Sequence, residues 1–201
     1  MDAKIEGVLA FYHQRIADER AVPSTPSSNT RNERLLAVGP ETGRLINIIA
    51  KGFPAPTILE IGTSYGYSAI WLAEAARARG GRLITLELAD YKSAYAREKS
   101  VEAGLADHVD FQVGDALELI ASFPGKIDFV LLDLWKDLYV PALELFYPKL
   151  NPGAIIVADN MIRPGGEDVA KYGRAVRAKP GVTSILLPVG TGVEVSRYQP
   201  V

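Results

Sequence analysis

Two short segments of this chain carry residue types that could hold a cation and move a proton. The first is Asp133-Leu-Trp-Lys-Asp-Leu-Tyr139 and the second is Asp159-Asn160. Each acid ends an apolar run, Ile127–Leu132 and Ala154–Ala158. If those runs are neighbouring strands, two carboxylates and an amide carbonyl converge at one edge. That is a hard oxygen set suited to Mg²⁺ or a similar divalent cation, with positions left for water and a substrate. The chain has no Cys and only two His, His13 and His108, both placed elsewhere, so zinc is a poor match. Either acid taken alone reads equally well as an ordinary polar strand end. Asn160 beside Asp159 and Lys136 three residues past Asp133 shift the balance towards a site. The charge of a nearby divalent cation favours the neutral amine of a lysine, the form that accepts a proton. Lys136 is therefore a candidate general base, against the plainer reading of a surface lysine paired with Asp137. Trp135 reads either as core or as the wall of an aromatic substrate's pocket.

A third segment, Leu59-Glu-Ile-Gly-Thr-Ser-Tyr-Gly-Tyr-Ser-Ala69, runs from a short strand through a glycine turn into a helix. That order places backbone N–H groups and the positive end of a helix dipole at the carboxyl edge of a sheet. The dinucleotide fingerprint needs a middle glycine to admit a pyrophosphate, and Ser64 stands there instead. Glu60 inside the strand repels phosphate as well. Glu87 ends the next strand and offers acceptors for a ribose diol, or is simply a solvated acid. Asp115 follows the third strand, where it caps a helix and keeps a second oxygen for an adenine amine. Together the three strand ends describe an adenosine pocket without a phosphate clamp.

Periodicity supplies the elements that must position these groups. Residues 3 to 20 read as an amphipathic helix through Ile5, Val8, Leu9, Tyr12 and Ile16. Residues 22 to 30 read as a loop. Thr30 with Glu33 predicts a short second helix through Leu35 and Leu36, and Pro40 opens a third that runs to Gly52. From Thr57 strands alternate with helices: Thr57–Ile61, a helix from Gly66 to Arg79, Arg82–Leu86, a helix from Asp90 to Ala103, and Val109–Val113. A short helix follows with Asp115 and Glu118 as a capping box, then Ile127–Leu132, a helix from Pro141 to Leu150, and Ala154–Ala158 entered by an Asn151-Pro152-Gly153 turn. Residues 166 to 178 read as helix, and Thr183–Pro188 with Gly192–Tyr198 as a hairpin. This pattern predicts an α/β fold, a doubly wound, Rossmann-like sheet of seven strands. It is mostly parallel with a C-terminal antiparallel hairpin, and helices cover both faces. Residues 1–201 form one domain in this reading, with 1–52 as a helical lid or interface layer and 57–201 as the core.

Composition narrows the classes. The chain has 201 residues, 48% hydrophobic and 23% charged, enough for one domain with a substantial core. A formal net charge of −2 gives no reason to expect nucleic acid. No apolar run reaches the length of a membrane span, and charges throughout the first twenty residues exclude the apolar core of a signal peptide. A cytoplasmic setting is the default, and the first helix could serve a homodimer contact.

The combination of LEIGTSYGYSA from Leu59, LEL around Glu87, LLDLWKDLY from Leu131 and ADNMIRPG from Ala158 resembles the metal-dependent catechol O-methyltransferase family of class I S-adenosylmethionine-dependent methyltransferases. The resemblance spans Val38 to Tyr198. It implies S-adenosyl-L-methionine as cofactor, with Val38, Gly62 and Ser68 at its methionine end and Glu60 among its contacts. It also implies Glu87 and Leu88 at the ribose, Asp115 and Ala116 at the adenine, and Asp133 beside the cofactor. It implies Mg²⁺ on Asp133, Asp159 and Asn160, and Lys136 as the base that deprotonates a catechol hydroxyl. Trp135, Lys136, Asn160 and Glu194 are its implied substrate contacts, Glu194 through the second hydroxyl. Two departures stand out: Leu134 replaces a histidine of the animal enzyme, and Arg34 falls near an aromatic gate. A caffeoyl-coenzyme A type ester or another phenol is the alternative acceptor. An NAD-dependent oxidoreductase is the rival from another class, and a non-catalytic adenosine-binding protein is the third.

Overall fold

Strands covered on both faces have no polar side to show, so they read as near-continuous apolar runs. That is the case for β1 (Thr57–Ile61) and β4 (Ile127–Leu132), the centre of the sheet. A computed structural model describes residues 1–21 and 34–200. With β2 (Arg82–Glu87), β3 (Val109–Val113), β5 (Leu150–Ala158), β6 (Val182–Leu187) and β7 (Val193–Tyr198), these strands form one sheet in the order β3-β2-β1-β4-β5-β7-β6. β7 runs antiparallel to both β5 and β6, and the other pairings are parallel. The order reverses between β1 and β4, the crevice where open α/β sheets bind their ligands.

Seven α-helices flank the sheet among the described residues: α1 (Ala3–Ala21), α2 (Pro40–Ala50), α3 (Tyr67–Arg79), α4 (Asp90–Glu102), α5 (Ala116–Ser122), α6 (Tyr139–Phe146) and α7 (Glu167–Arg177). Alternate strand residues feed two cores. Ile58, Phe129 and Leu131 pack with α1, α2 and α3, whereas Leu59, Ile61, Val130 and Leu132 pack with α6 and α7. Ile5, Val8, Leu9, Tyr12 and Ile16 of α1 are all buried in the first core. A fully buried Ile or Leu is worth roughly 2 kcal/mol, so α1 is held as firmly as the helices between strands. No helix among the described residues is long and apolar enough to cross a membrane.

Two expectations change. Thr30 and Glu33 lie outside the described residues, and residues 35–39 that follow are not helical. Leu36 there has φ +48°, a value no helix contains. Asn151-Pro152-Gly153 does not precede β5 but lies within it. Ile127 pairs with Leu150 and Phe129 with Ile155, so β5 carries a bulge that accommodates the proline. Asp115 caps α5 as expected, its Oδ1 accepting from Leu117 N at 2.8 Å and Glu118 N at 3.1 Å.

Candidate active site

Register brings the chemistry-bearing residues to one edge. Ile61 pairs with Leu86 and Leu132, and Leu132 with Ala158, so Gly62, Glu87, Asp133 and Asp159 all leave their strands at the same level. Gly62 and Asp133 flank the switch point. Gly62 has φ +107°, and a Cβ there would lie 2.3 Å from the Asp133 carbonyl oxygen. The strand ends approach so closely that only glycine fits.

Asp133 and Lys136 form an ion pair, Nζ donating to Oδ1 at 3.0 Å. The ammonium also donates to the Leu134 carbonyl at 3.0 Å and to Tyr139 Oη at 2.8 Å. Tyr139 Oη donates in turn to the Asp159 carbonyl at 3.0 Å. A short 3₁₀ turn over Lys136–Leu138 sets Lys136 and Tyr139 one above the other, so the tyrosine props the lysine against the two acid-bearing strand ends. Tyr139 is fully buried, edge-on to Tyr172 with ring centroids 5.4 Å apart. Burial holds its hydroxyl well above the usual phenol range, with the Asp133 and Asp159 charges adding to the effect.

Asp159 is fully buried, and its carboxyl is pushed up by burial and then by repulsion from Asp133. Asp133 is likewise raised by burial, with Lys136 opposing. Asn160 follows in the left-handed region, φ +59°, which asparagine tolerates better than most residues. Its amide nitrogen donates to Asp159 Oδ2 at 3.3 Å and to Thr191 Oγ1 at 3.1 Å. Thr191 Oγ1 donates to Asp159 Oδ1 at 2.8 Å. Among the described residues no three His, Cys, Asp or Glu gather into a metal-ligating group. The set here is two carboxylates and one amide. Its chemistry fits a hard divalent cation, whose charge would offset the repulsion between the two buried acids.

On the other side of the switch point stand the residues expected to hold the cofactor, Glu60, Ser64 to Ser68 and Glu87. Glu60 is fully buried. Burial pushes its carboxyl up to about 7, the hydroxyls of Ser68 and Thr85 pull against that, and the Asp133 and Glu87 charges raise it further. Thr85 Oγ1 donates to Glu60 Oε2 at 2.5 Å, while Oε1 is buried without a hydrogen bond of good geometry. Lone pairs on that oxygen suit an N–H donor such as an ammonium. Glu87 Oε2 accepts from Ser64 N at 2.7 Å, and its Oε1 accepts from Ala89 N at 3.0 Å. These bonds fix the carboxylate and leave lone pairs for a diol. Ser64, at φ +48°, donates Oγ to the Leu35 carbonyl at 2.9 Å and so ties the segment leading to Val38 across the glycine turn. Val38 is buried, Leu88 is 70% exposed, and Ala116 opens α5 beside Asp115.

Comparisons with known proteins give the family. A family described as "Methyltransferase domain" matches residues 59–161. A catechol O-methyltransferase from Niastella koreensis is 33% identical over 152 residues, 74% of this chain and 68% of that protein. The chain belongs to the catechol O-methyltransferase-like family of class I S-adenosylmethionine-dependent methyltransferases. A catechol O-methyltransferase from Mycobacterium tuberculosis is 37% identical over 132 residues, 65% of this chain and 60% of that protein. Among solved structures, an O-methyltransferase from Bacillus cereus in complex with SAH superposes with a TM-score of 0.76 at 26% identity, covering 99% of this chain and 92% of that one. The family's reaction class, S-adenosylmethionine-dependent O-methyl transfer, is therefore that of this chain.

Within that family frame one residue needs correction. Glu194 was expected at the substrate. It is fully buried on β7, on the α7 side of the sheet. Arg177 Nε and Nη2 donate to its two oxygens at 2.9 and 2.7 Å, and Ser184 Oγ donates to Oε1 at 2.5 Å. Strand alternation explains the difference: Val193 and Val195 face the first core, so Glu194 faces α7. Trp135 is 53% exposed, which removes the core reading. Tyr139 and Thr191 escaped the sequence reading. Tyr139 closes the Asp133–Tyr139 motif and was visible as such; Thr191 sits in a hairpin loop and had no local signal.

Proposed function

We propose that this chain moves the methyl group of S-adenosylmethionine to a hydroxyl of a catechol-type small molecule, with Mg²⁺ or another divalent cation held by Asp133, Asp159 and Asn160. The observation that carries this reading is the convergence of Asp133, Asp159, Asn160 and Lys136 beside Gly62 at the switch point. When bound, the cofactor supplies an electrophilic methyl on a sulfonium, and the cation lowers the pKa of a chelated hydroxyl.

The chain's own residues do the rest. Lys136, after its ammonium releases a proton to solvent, takes the proton from the acceptor hydroxyl on Nζ, and Tyr139 keeps that nitrogen at the acid-bearing edge. Glu60 Oε1 accepts from the amino group of the methionine moiety, and Glu87 accepts from the ribose. Asp115 caps α5 through Oδ1, which leaves Oδ2 for the adenine amine. Val38, Gly62 and Ser68 border the methionine end, with Leu88 and Ala116 on the adenosine side. Trp135 walls the aromatic acceptor. Because the reacting oxygen and the methyl carbon are held on fixed strand ends, positioning supplies most of the acceleration.

A competition assay tests the acceptor. Equal concentrations of a free catechol and a caffeoyl-coenzyme A ester are offered with S-adenosylmethionine and Mg²⁺, and both products are quantified. Preferential methylation of the free catechol supports the reading, and preference for the ester overturns it.

A further inference from the structure

We propose that Thr191, in the β6–β7 loop, is the positioning residue that decides which oxygens the Asp159–Asn160 pair presents to a divalent cation. The inference rests on the metal reading given above.

One proton sets the arrangement. A threonine hydroxyl has a single hydrogen to donate and lone pairs with which to accept. At Thr191 that hydrogen goes to Asp159 Oδ1, 2.8 Å away. The hydroxyl can then serve Asn160 only as an acceptor, so the end of the side-chain amide at 3.1 Å must be its NH₂. The second amide hydrogen goes to Asp159 Oδ2 at 3.3 Å, and the ring of three side chains closes. With its nitrogen fixed on this side, Asn160 offers its carbonyl oxygen as the remaining polar atom. An asparagine whose amide were reversed would offer two N–H donors to a cation instead. Oxygen and nitrogen of an amide have the same shape, so only the hydrogen-bond partners choose between the two orientations.

Thr191 is placed for this by its main chain. Its carbonyl accepts from Ile162 N at 3.1 Å and from Arg163 N at 2.8 Å, which locks the hairpin loop to the segment just after Asn160. The next-door Gly190 has no room for a side chain, since a Cβ there would come within 2.4 Å of Thr42 Oγ1. The loop is thus pinned on both sides of Thr191 by contacts that do not involve its hydroxyl. Valine, which keeps the shape and loses the hydroxyl, should leave the loop in place and free the Asn160 amide to turn. Partners of this kind that orient a metal ligand typically alter metal affinity by about 10–100-fold.

The test reads metal binding directly. Mn²⁺ is titrated into the full chain in the presence of S-adenosylhomocysteine, and free Mn²⁺ is followed by electron paramagnetic resonance. S-Adenosylhomocysteine affinity is measured separately by calorimetry. Thr191→Val should weaken Mn²⁺ binding about 10–100-fold while S-adenosylhomocysteine binding stays unchanged, and Thr191→Ser should bind Mn²⁺ like the parent. Parent-like Mn²⁺ binding by Thr191→Val overturns the proposal. So does a folded Thr191→Ser that loses the metal, because then the hydroxyl is not what matters. A parent chain that binds no Mn²⁺ overturns the metal reading itself, and the inference with it.

Discussion

Lys136 Nζ lies 3.0 Å from Asp133 Oδ1, so the candidate base and a candidate cation ligand share one carboxylate. A divalent cation on Asp133 competes with the ammonium for that oxygen, which ties the base to the state of the metal site. Lys136→Ala should lower turnover by about two or more orders of magnitude, in line with losing a general base. S-adenosylhomocysteine affinity should stay close to the parent's. Steady-state kinetics with calorimetry check both, and parent-like turnover would take Lys136 out of the mechanism.

Asp159 should show activity and stability moving in opposite directions. The buried Asp133 and Asp159 carboxylates repel each other. Asp159→Asn removes one charge and keeps an oxygen for Thr191. The variant should therefore melt at a higher temperature than the parent in metal-free buffer at pH 8, and lose at least about 100-fold in Mg²⁺-supported activity. Scanning calorimetry and turnover read the two effects. A variant that is less stable without metal would show that the pair is not under electrostatic strain.

Glu60 gives a pH signature. Its carboxyl is raised in the folded chain to about 7 from an ordinary value near 4.5, so between these values the folded state binds more protons than the unfolded one. Stability is then fully present below about 4.5 and falls as pH rises through 7. Affinity for S-adenosylhomocysteine should move the other way, rising through pH 7 as the acceptor ionises. Glu60→Gln should flatten the affinity profile and make the stability profile shallower, with the raised Asp159 carboxyl supplying the slope that remains, as followed by melting temperature and calorimetry from pH 5 to 8. An unchanged melting profile in this variant would assign the slope to another group.

The Arg177–Glu194 pair predicts a structural effect without a catalytic one. Glu194 is fully buried, whereas the Arg177 side chain is 50% exposed. Arg177→Met leaves a buried carboxylate with the Ser184 hydroxyl as its remaining partner among the described residues and should cost about 1–3 kcal/mol, below the 3–5 of a fully buried pair because solvent reaches the guanidinium. Glu194→Gln keeps the hydrogen-bonding shape and should leave KM for a catechol near the parent's. Chemical denaturation and steady-state kinetics separate the two. A large rise in KM for Glu194→Gln would return Glu194 to the substrate.

The parts of the site that lie on strand ends were legible in the sequence. A strand's last residue is fixed once the apolar run is counted, so Gly62, Glu87, Asp115, Asp133 and Asp159 could be placed, together with the parallel order that aligns them. Glu194 failed for the complementary reason. It lies inside a strand, where its direction depends on alternation relative to a core that only the folded sheet defines. The Asn151–Gly153 bulge failed because turn-forming residues mark a break in pairing without saying whether the strand resumes. Thr191 was out of reach because its role exists only when a hairpin loop meets the end of β5, 31 residues away from Asn160 in the chain.

Methyl transfer to a catechol with and without the cation tests the central claim most directly. The purified chain is stripped of metal, incubated with S-adenosylmethionine and a panel of catechols, and the methyl ethers are quantified by mass spectrometry with excess chelator and after Mg²⁺ is restored. The account predicts a monomethylated product that is absent under chelation and returns with Mg²⁺. Equal product in both conditions, or none from any catechol while S-adenosylhomocysteine still binds, would contradict it.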